Sequence, residues 1–342
     1  MTPTSVSQVL AVAIENRQPV LITGEPGIGK TDIVKSAASE AEADLIVTHP
    51  VVDQPIDYKG LPYVGNGEAK FLAYGNLKAL VEAKRPTVCF MDDLGQATQA
   101  VQAAVMQLIL AREIDGVRIS DQVSFLAATN DHRHGAGVSG LLEPLKGRFA
   151  TILPMEADLD EWIRWAHAKL VPQELIAFLR FRPELLSAFT RTAAMTNSPN
   201  PRSWAHVAAW QRTRLDSALW REVFSGAVGE SAANEYVSFL ETIRDMPNPV
   251  AVFEEPELAP IPSRPDILYA LCGALVSQGI KRGAEAAARA VVPYARRLLA
   301  AGRGEFGVVL FRDSLERIVG FGDAPAVMAE MSNGGAIANA IF

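Results

Sequence analysis

The chain has 342 residues, 49% hydrophobic and 21% charged, with two cysteines and a formal net charge of −7. At about 150 residues per domain, that length predicts two domains and an appendage, each part able to bury a core without cross-links. Cys89 and Cys272 lie far apart and form no C-x-x-C pair, which excludes a disulfide scaffold or zinc ribbon and fits a reducing compartment. The opening stretch MTPTSVSQVLAVAIENRQP lacks a basic n-region and carries Glu15, so no signal peptide is expected. No apolar run approaches the ~18 residues that span a bilayer. A cytoplasmic protein without a membrane partner is expected.

Taken in chain order, a first buried strand is expected at Val20–Thr23. It runs into Gly24-Glu25-Pro26-Gly27-Ile28-Gly29-Lys30-Thr31, a full match to G-x-x-x-x-G-K-[ST], with an amphipathic helix over Thr31–Ala41 behind it. Phosphate binding needs these residue types. The glycines let backbone N–H groups turn inward toward phosphate oxygens, and the helix adds its positive end. Lys30 would reach the β- and γ-phosphates, and the Thr31 hydroxyl would take a Mg²⁺ position.

A second strand is expected at Leu45–Thr48, then a segment from Gln54 to Phe71 with Asn66-Gly67 as a hairpin signal. A helical segment around Leu77–Ala83 precedes a strand at Thr87–Met91 that ends in Asp92-Asp93. Two acids at the carboxyl edge of a parallel strand lie where open α/β sheets bind ligands. Asp92 would hold Mg²⁺ through its water shell, and Asp93 would orient or deprotonate an attacking water; either could instead cap the next helix. That helix, Thr98–Arg112, carries Val101, Ala104, Val105, Leu108 and Ile109 as one stripe. The strand Val123–Thr129 ends in Asn130, whose amide could bond both a γ-phosphate and a water, or form a turn. His132-Arg133-His134 follows, a His-x-His pair with no further residue placed to complete a metal site. Arg148 precedes a last strand at Ala150–Leu153. All five runs are apolar throughout, as in a parallel sheet, and their alternation with helices predicts an α/β doubly wound domain.

After Pro154 the strand signal fades. Asp158-x-x-Glu161 opens a helix in the manner of a capping box, and Trp162, Trp165, Trp204, Trp210 and Trp220 recur at helical spacing as core candidates. In Ser198-Pro199-Asn200-Pro201-Arg202, Asn200 reads as an N-cap and Pro201 as the first helical residue. Arg202 then stands in the first turn against the helix dipole, a placement that a nucleotide phosphate would offset. The run EEPELAPIPSRP, ending at Pro265, is the best linker candidate. These features divide the chain into an α/β core (1–154), a small helical domain (155–221) and a helical C-terminal extension (222–342). From Lys281 to Arg317 eight basic residues stand against four acidic ones, leaving −11 for the rest. Solvated helix faces are the ordinary reading of that stretch.

Together GEPGIGKT, VCFMDD, ATQAVQAAVMQLILAREI, FLAATN, EPLKGRF and NPRSW resemble an AAA+ ATPase of the MoxR-like branch, over about residues 1–210. The resemblance implies a five-stranded parallel core of the P-loop NTPase type, an α-helical lid, and ATP with Mg²⁺ held between them. It implies that Arg148 acts in trans as an arginine finger and Arg202 in cis as a second sensor. A trans finger requires a homo-oligomeric ring, usually a hexamer. The Gln54–Phe71 segment resembles the insertion in helix 2 that marks this branch. One departure is Asp93, where the family has Glu. It is a methylene shorter, and a displacement of about 1 Å can cost on the order of 10²-fold in rate.

The leading expectation is an ATPase that remodels a protein partner; relatives in that branch often act with von Willebrand A-domain proteins. The alternatives are a nucleotide-gated assembly module with very slow hydrolysis, and a DNA-directed motor using Arg289, Arg296, Arg297 and Arg303. Nucleic acid is the less favoured partner because the body of the chain is acidic.

Overall fold

The computed structural model describes residues 1–342 except 66–67, 115, 131–139, 191–194, 333–334 and 342. The Asn66-Gly67 turn and His132-Arg133-His134 therefore lie outside the described residues. The chain forms two compact units, Met1–Trp162 with Ser187–Ser203, and Ile163–Leu186 with Trp204–Phe342.

In chain order the strands are β1 (Val20–Gly24), β2 (Asp44–Thr48), β3 (Leu61–Gly65), β4 (Glu68–Leu72), β5 (Thr87–Met91), β6 (Glu113–Ile114), β7 (Val117–Arg118), β8 (Val123–Asn130) and β9 (Thr151–Pro154). Five of them form one sheet in the order β2-β5-β8-β1-β9, and every pairing within it is parallel. The five predicted strands are these five, each within one residue of its expected bounds. β3 and β4 pair as an antiparallel hairpin, Gly65 opposite Glu68, and β6 with β7 is a second short one.

The helices of this unit are α1 (Pro3–Glu15), α2 (Lys30–Glu40), α3 (Pro55–Lys59), α4 (Gly75–Val81), α5 (Gln99–Ala111) and α6 (Glu143–Lys146). Successive strand residues point to opposite faces of the sheet, and both faces are covered. Val20, Ile22, Phe90, Leu126 and Ala128 pack with Val6 and Leu10 of α1 and Val34 and Ala37 of α2. Leu21, Cys89, Met91, Phe125 and Ala127 pack with Leu77, Leu80, Val101, Val105 and Leu108 of α4 and α5. Burial on both faces explains why these strands read as unbroken apolar runs. The fold is α/β, with a parallel five-stranded core and a helical carboxyl-terminal part.

The remaining helices are α7 (Leu159–Ala168), α8 (Gln173–Phe181), α9 (Pro201–Gln211), α10 (Trp220–Val228), α11 (Glu230–Thr242), α12 (Pro249–Glu254), α13 (Pro265–Arg282), α14 (Ala284–Ala300), α15 (Gly304–Arg317), α16 (Pro325–Ser332) and α17 (Ala336–Ile341). None among the described residues is long and apolar enough to cross a membrane. Asp158 does cap α7, accepting from Glu161 N at 2.9 Å, but the Glu161 carboxylate accepts from Thr4 N instead of closing a box. Of the five tryptophans, Trp204 is fully buried, its ring 5.6 Å from Phe178 and 6.0 Å from Tyr236. Trp165 and Trp210 are surface residues, 41% and 46% exposed, so helical spacing alone overassigned them to the core.

Two expectations for the carboxyl-terminal part are corrected. The EEPELAPIPSRP run is not a free linker. Arg297 donates to Pro256 O and Ala259 O, the Tyr294 hydroxyl to Pro260 O, and Arg303 to Ser263 O. Nor is the basic stretch solvated along its whole length, although Lys281, Arg282, Arg289 and Arg296 are exposed as expected. Arg296 bonds Glu330, which has no exposed surface, and Arg282 pairs with Glu254 and stacks over Phe253. Arg180 of α8 clamps Asp313 of α15 through two bonds of 2.6 and 2.7 Å, and Arg317 donates to Gln173 at 3.0 Å. Loss of Arg296 or Arg180 would leave Glu330 or Asp313 as an unpaired buried ion.

His167 sits beside that clamp, 4.0 Å from Asp313, with its side chain 8% exposed and neither ring nitrogen hydrogen-bonded among the described residues. Burial first, then the Arg317 charge, hold its pKa down to about 4. The unfolded chain protonates His167 near pH 6.5 and the folded chain does not until about pH 4. Its contribution to stability is complete above 6.5 and is lost as the pH falls toward 4. Urea unfolding at pH 7 and pH 4.5 should show wild type losing about 2 kcal/mol more than His167→Gln. Equal losses would contradict the assignment.

Candidate nucleotide site

The loop between β1 and α2 is shaped by its glycines. Gly27 and Gly29 have φ of +81° and +95°, a region that L side chains avoid. A Cβ on Gly27 would also collide with the Asn200 carboxamide. The turn ends with Gly29 as the N-cap of α2, and no side chain among the described residues caps that end. Its free N–H groups and the dipole of an eleven-residue helix face the loop. Pro26 precedes Gly27, and Ile28, between the two glycines, is buried against the core.

Lys30 is 7% exposed. Its ammonium donates to Gly24 O (3.1 Å), Glu25 O (2.8 Å) and Asn130 Oδ1 (2.9 Å). Burial lowers its pKa to about 8, against the opposing pull of Asp93 and Asp92. Register explains Asn130, which lies directly opposite Gly24 in the β1–β8 ladder. Its side chain is 6% exposed, and Nδ2 stands 3.5 Å from Asp93 Oδ1. It is no turn former; it is the last residue of a central strand.

The Thr31 hydroxyl donates to Asp92 Oδ2 at 2.7 Å, and Asp92 Oδ1 accepts from Asp93 N at 3.1 Å. Neither acid caps α5, whose N-cap is Thr98. Asp93 has φ +55°, a left-handed conformation that costs a non-glycine residue about 1 kcal/mol, and its side chain makes no capping bond. Burial and the Asp92 charge raise its pKa, partly offset by Lys30 and Arg202. A hydroxyl and a carboxylate 2.7 Å apart are hard oxygen donors suited to Mg²⁺, which usually takes one or two carboxylates and completes its shell with waters and phosphate oxygens. No group of three or more His, Cys, Asp or Glu is arranged for a metal among the described residues.

Arg202 joins this group. Ser203 N donates to Asn200 Oδ1 at 2.9 Å, so Asn200 is the N-cap of α9 as expected, and Arg202 N donates to Gly27 O at 3.1 Å. Its guanidinium acts electrostatically on both Lys30 and Asp93. The Glu25 carboxylate accepts from the Ser187 hydroxyl.

Arg148 is the predicted residue not brought here. It precedes β9, whose first residue, Thr151, pairs with Val20 at the amino end of β1. Gly24 lies at the other end of β1, roughly 13 Å further along at 3.3 Å per residue. The buried Arg148 Nε has no hydrogen-bond partner among the described residues.

Two contributors went unrecognised in the sequence. His49 directly follows Thr48, whose carbonyl accepts from Asp92 N at 3.0 Å, and its charge acts on Asp93. Only the β2–β5 adjacency reveals it. Asn200 was legible as a cap, but not as the group packed against Gly27.

Residues 20–157 match the ATPase family associated with various cellular activities (AAA). Among curated proteins, the proteasome-activating nucleotidase of Sulfurisphaera tokodaii is 32% identical over 130 residues, 35% of this chain and 30% of that one. That of Saccharolobus islandicus is 31% identical over 153 residues, 42% and 35%. The chain thus spans about a third of the length of the curated relatives it matches. Among solved structures, a point mutant of Thermotoga maritima RuvB aligns over 87% of this chain and 86% of that one, at 19% identity and a TM-score of 0.42.

Proposed function

We propose that the chain is an ATP-hydrolysing subunit of a homo-oligomeric ring, a hexamer, that remodels a protein partner. The observation that carries this reading is the hydrogen-bonded set Lys30–Asn130–Asp93 and Thr31–Asp92, assembled at the carboxyl ends of three adjacent strands. The phosphates would lie along the N–H groups of residues 24–31, with Lys30 exchanging carbonyl acceptors for β- and γ-oxygens. Thr31 and Asp92 would hold Mg²⁺, which when bound neutralises charge on the phosphates. Asp93 would accept the proton of the attacking water as the bond to γ-phosphorus forms and the β–γ bridging oxygen departs. Asn130 orients that water, and Arg202 adds positive charge from the same chain.

Arg148 supports an oligomer. Its place at the opposite end of the β1–β9 pair sets it away from its own loop, and in a ring it would act on a neighbouring subunit's nucleotide. Arg148→Ala should lower kcat by on the order of 10³-fold and leave the affinity for ATP unchanged. Full activity in that variant would remove the trans role.

The protein partner rests on the nucleotidase relatives and on the MoxR-like motifs, whose branch often pairs with von Willebrand A-domain proteins. Residues 155–221 serve as lid and 222–342 as extension, coupled to each other by the Arg180–Asp313 clamp. A DNA-directed motor is less well supported, because Arg296, Arg297 and Arg303 bond within their own unit. Nucleotide-gated assembly with slow turnover keeps one specific support, the short Asp93 side chain standing 3.5 Å from Asn130.

A further inference from the structure

The first unit contains a cavity of about 210 Å³ between α3, α4 and α5, Thr48 at the carboxyl end of β2 and Cys89 in the middle of β5. One wall is apolar, formed by Leu77, Leu80, Leu108 and the fully buried Cys89. The Cys89 thiol has no hydrogen-bond partner among the described residues. The other wall holds two carboxylates. Asp53 Oδ2 accepts from the Tyr58 hydroxyl at 2.6 Å, and Asp57 Oδ1 from the Tyr74 hydroxyl at 2.5 Å. Burial raises the pKa of Tyr58, and the bond to Asp57 raises that of Tyr74 to about 12. Both phenols donate, and the two carboxylates accept.

Those two charges are not balanced. No Lys, Arg or His lines the cavity, and neither carboxylate has an ion-pair partner among the described residues. Asp53 Oδ1 accepts no hydrogen bond from them either. An anion would be repelled here, and a neutral apolar molecule would desolvate the carboxylates without compensation. A cation with an apolar stem satisfies both walls, because an ammonium offers three donors to the acceptors while methylenes cover the leucines.

We propose that this cavity binds an alkylammonium group, a primary amine carried on a short aliphatic chain. The group comes either from a free aliphatic amine or from a lysine side chain of a polypeptide. The site does not depend on the nucleotide reading, since none of its lining residues belongs to the phosphate loop.

The test titrates the full chain with 1,4-diaminobutane, with Nα-acetyl-lysine amide and with 1,4-butanediol, following thermal unfolding and the rate of Cys89 alkylation by iodoacetamide. At least one amine should raise the unfolding temperature saturably below about 10 mM and slow alkylation of Cys89, and the diol should do neither. Asp53→Asn should weaken that amine about tenfold. Asp53 is the better variant to change because Asp57 also accepts from Gln54 N at the start of α3. Tighter binding of the lysine derivative identifies a polypeptide source, and tighter binding of the diamine a free one. Lys30→Met should bind the amine as wild type does, which separates this site from the nucleotide reading. An equal response to the diol, no effect of Asp53→Asn, or no saturation by either amine would overturn the proposal.

Discussion

Lys30→Met is expected to lower the affinity for ATP by at least about 10²-fold, read from the fluorescence of a labelled nucleotide. Lys30 holds its charge inside the loop, 7% exposed and fixed by three acceptors. Phosphate oxygens carry more negative charge than the Gly24 and Glu25 carbonyls. Each charge-assisted bond that replaces a neutral one contributes about 1.5–3 kcal/mol, so two such bonds account for the expected loss. Methionine keeps the aliphatic stem and packing, and leaves Asn130 Oδ1 without its donor. Urea unfolding of the variant should therefore change by no more than about 1–3 kcal/mol. Unchanged ATP affinity would place the nucleotide elsewhere.

Asp93→Glu is expected to raise kcat by about 10–10²-fold with little change in KM. Asp93 sits in a left-handed conformation and reaches Asn130 only at 3.5 Å, so its carboxylate falls short of the position a longer side chain takes. An added methylene would move the proposed base toward the water without touching Lys30, Thr31 or Asp92, the residues proposed to hold the nucleotide and the metal. Stopped-flow phosphate release with Mg-ATP separates the chemical step from binding. A slower Asp93→Glu enzyme would mean that the site is built to the shorter side chain, with His49 or the backbone completing it.

Much of this site was legible because its chemistry is local. Gly24 to Thr31 is contiguous, and its strand and helix flank it directly. Asp92, Asp93 and Asn130 each end an apolar run, so burial on both faces of the sheet marks them in the sequence. What one strand does to its neighbour was not legible. The order β2-β5-β8-β1-β9 places His49 beside Asp93 and Gly24 opposite Asn130, and no single run encodes it. The same limit explains the misread run near Pro256. Its hydrogen-bond donors, Tyr294, Arg297 and Arg303, lie between 34 and 41 residues downstream, and composition alone marks such a stretch as a linker. Trp165 and Trp210 failed for a related reason, since helical spacing shows that residues share a face but not whether that face is covered.

The central claim is that this loop and its acids hydrolyse ATP. Its most direct test is steady-state phosphate release from Mg-ATP by the wild type and by Asp93→Asn, at concentrations where both have bound nucleotide. A Mg²⁺-dependent rate in the wild type that falls at least about tenfold in Asp93→Asn is the predicted result. Equal rates in the two proteins, with ATP bound to both, would contradict it.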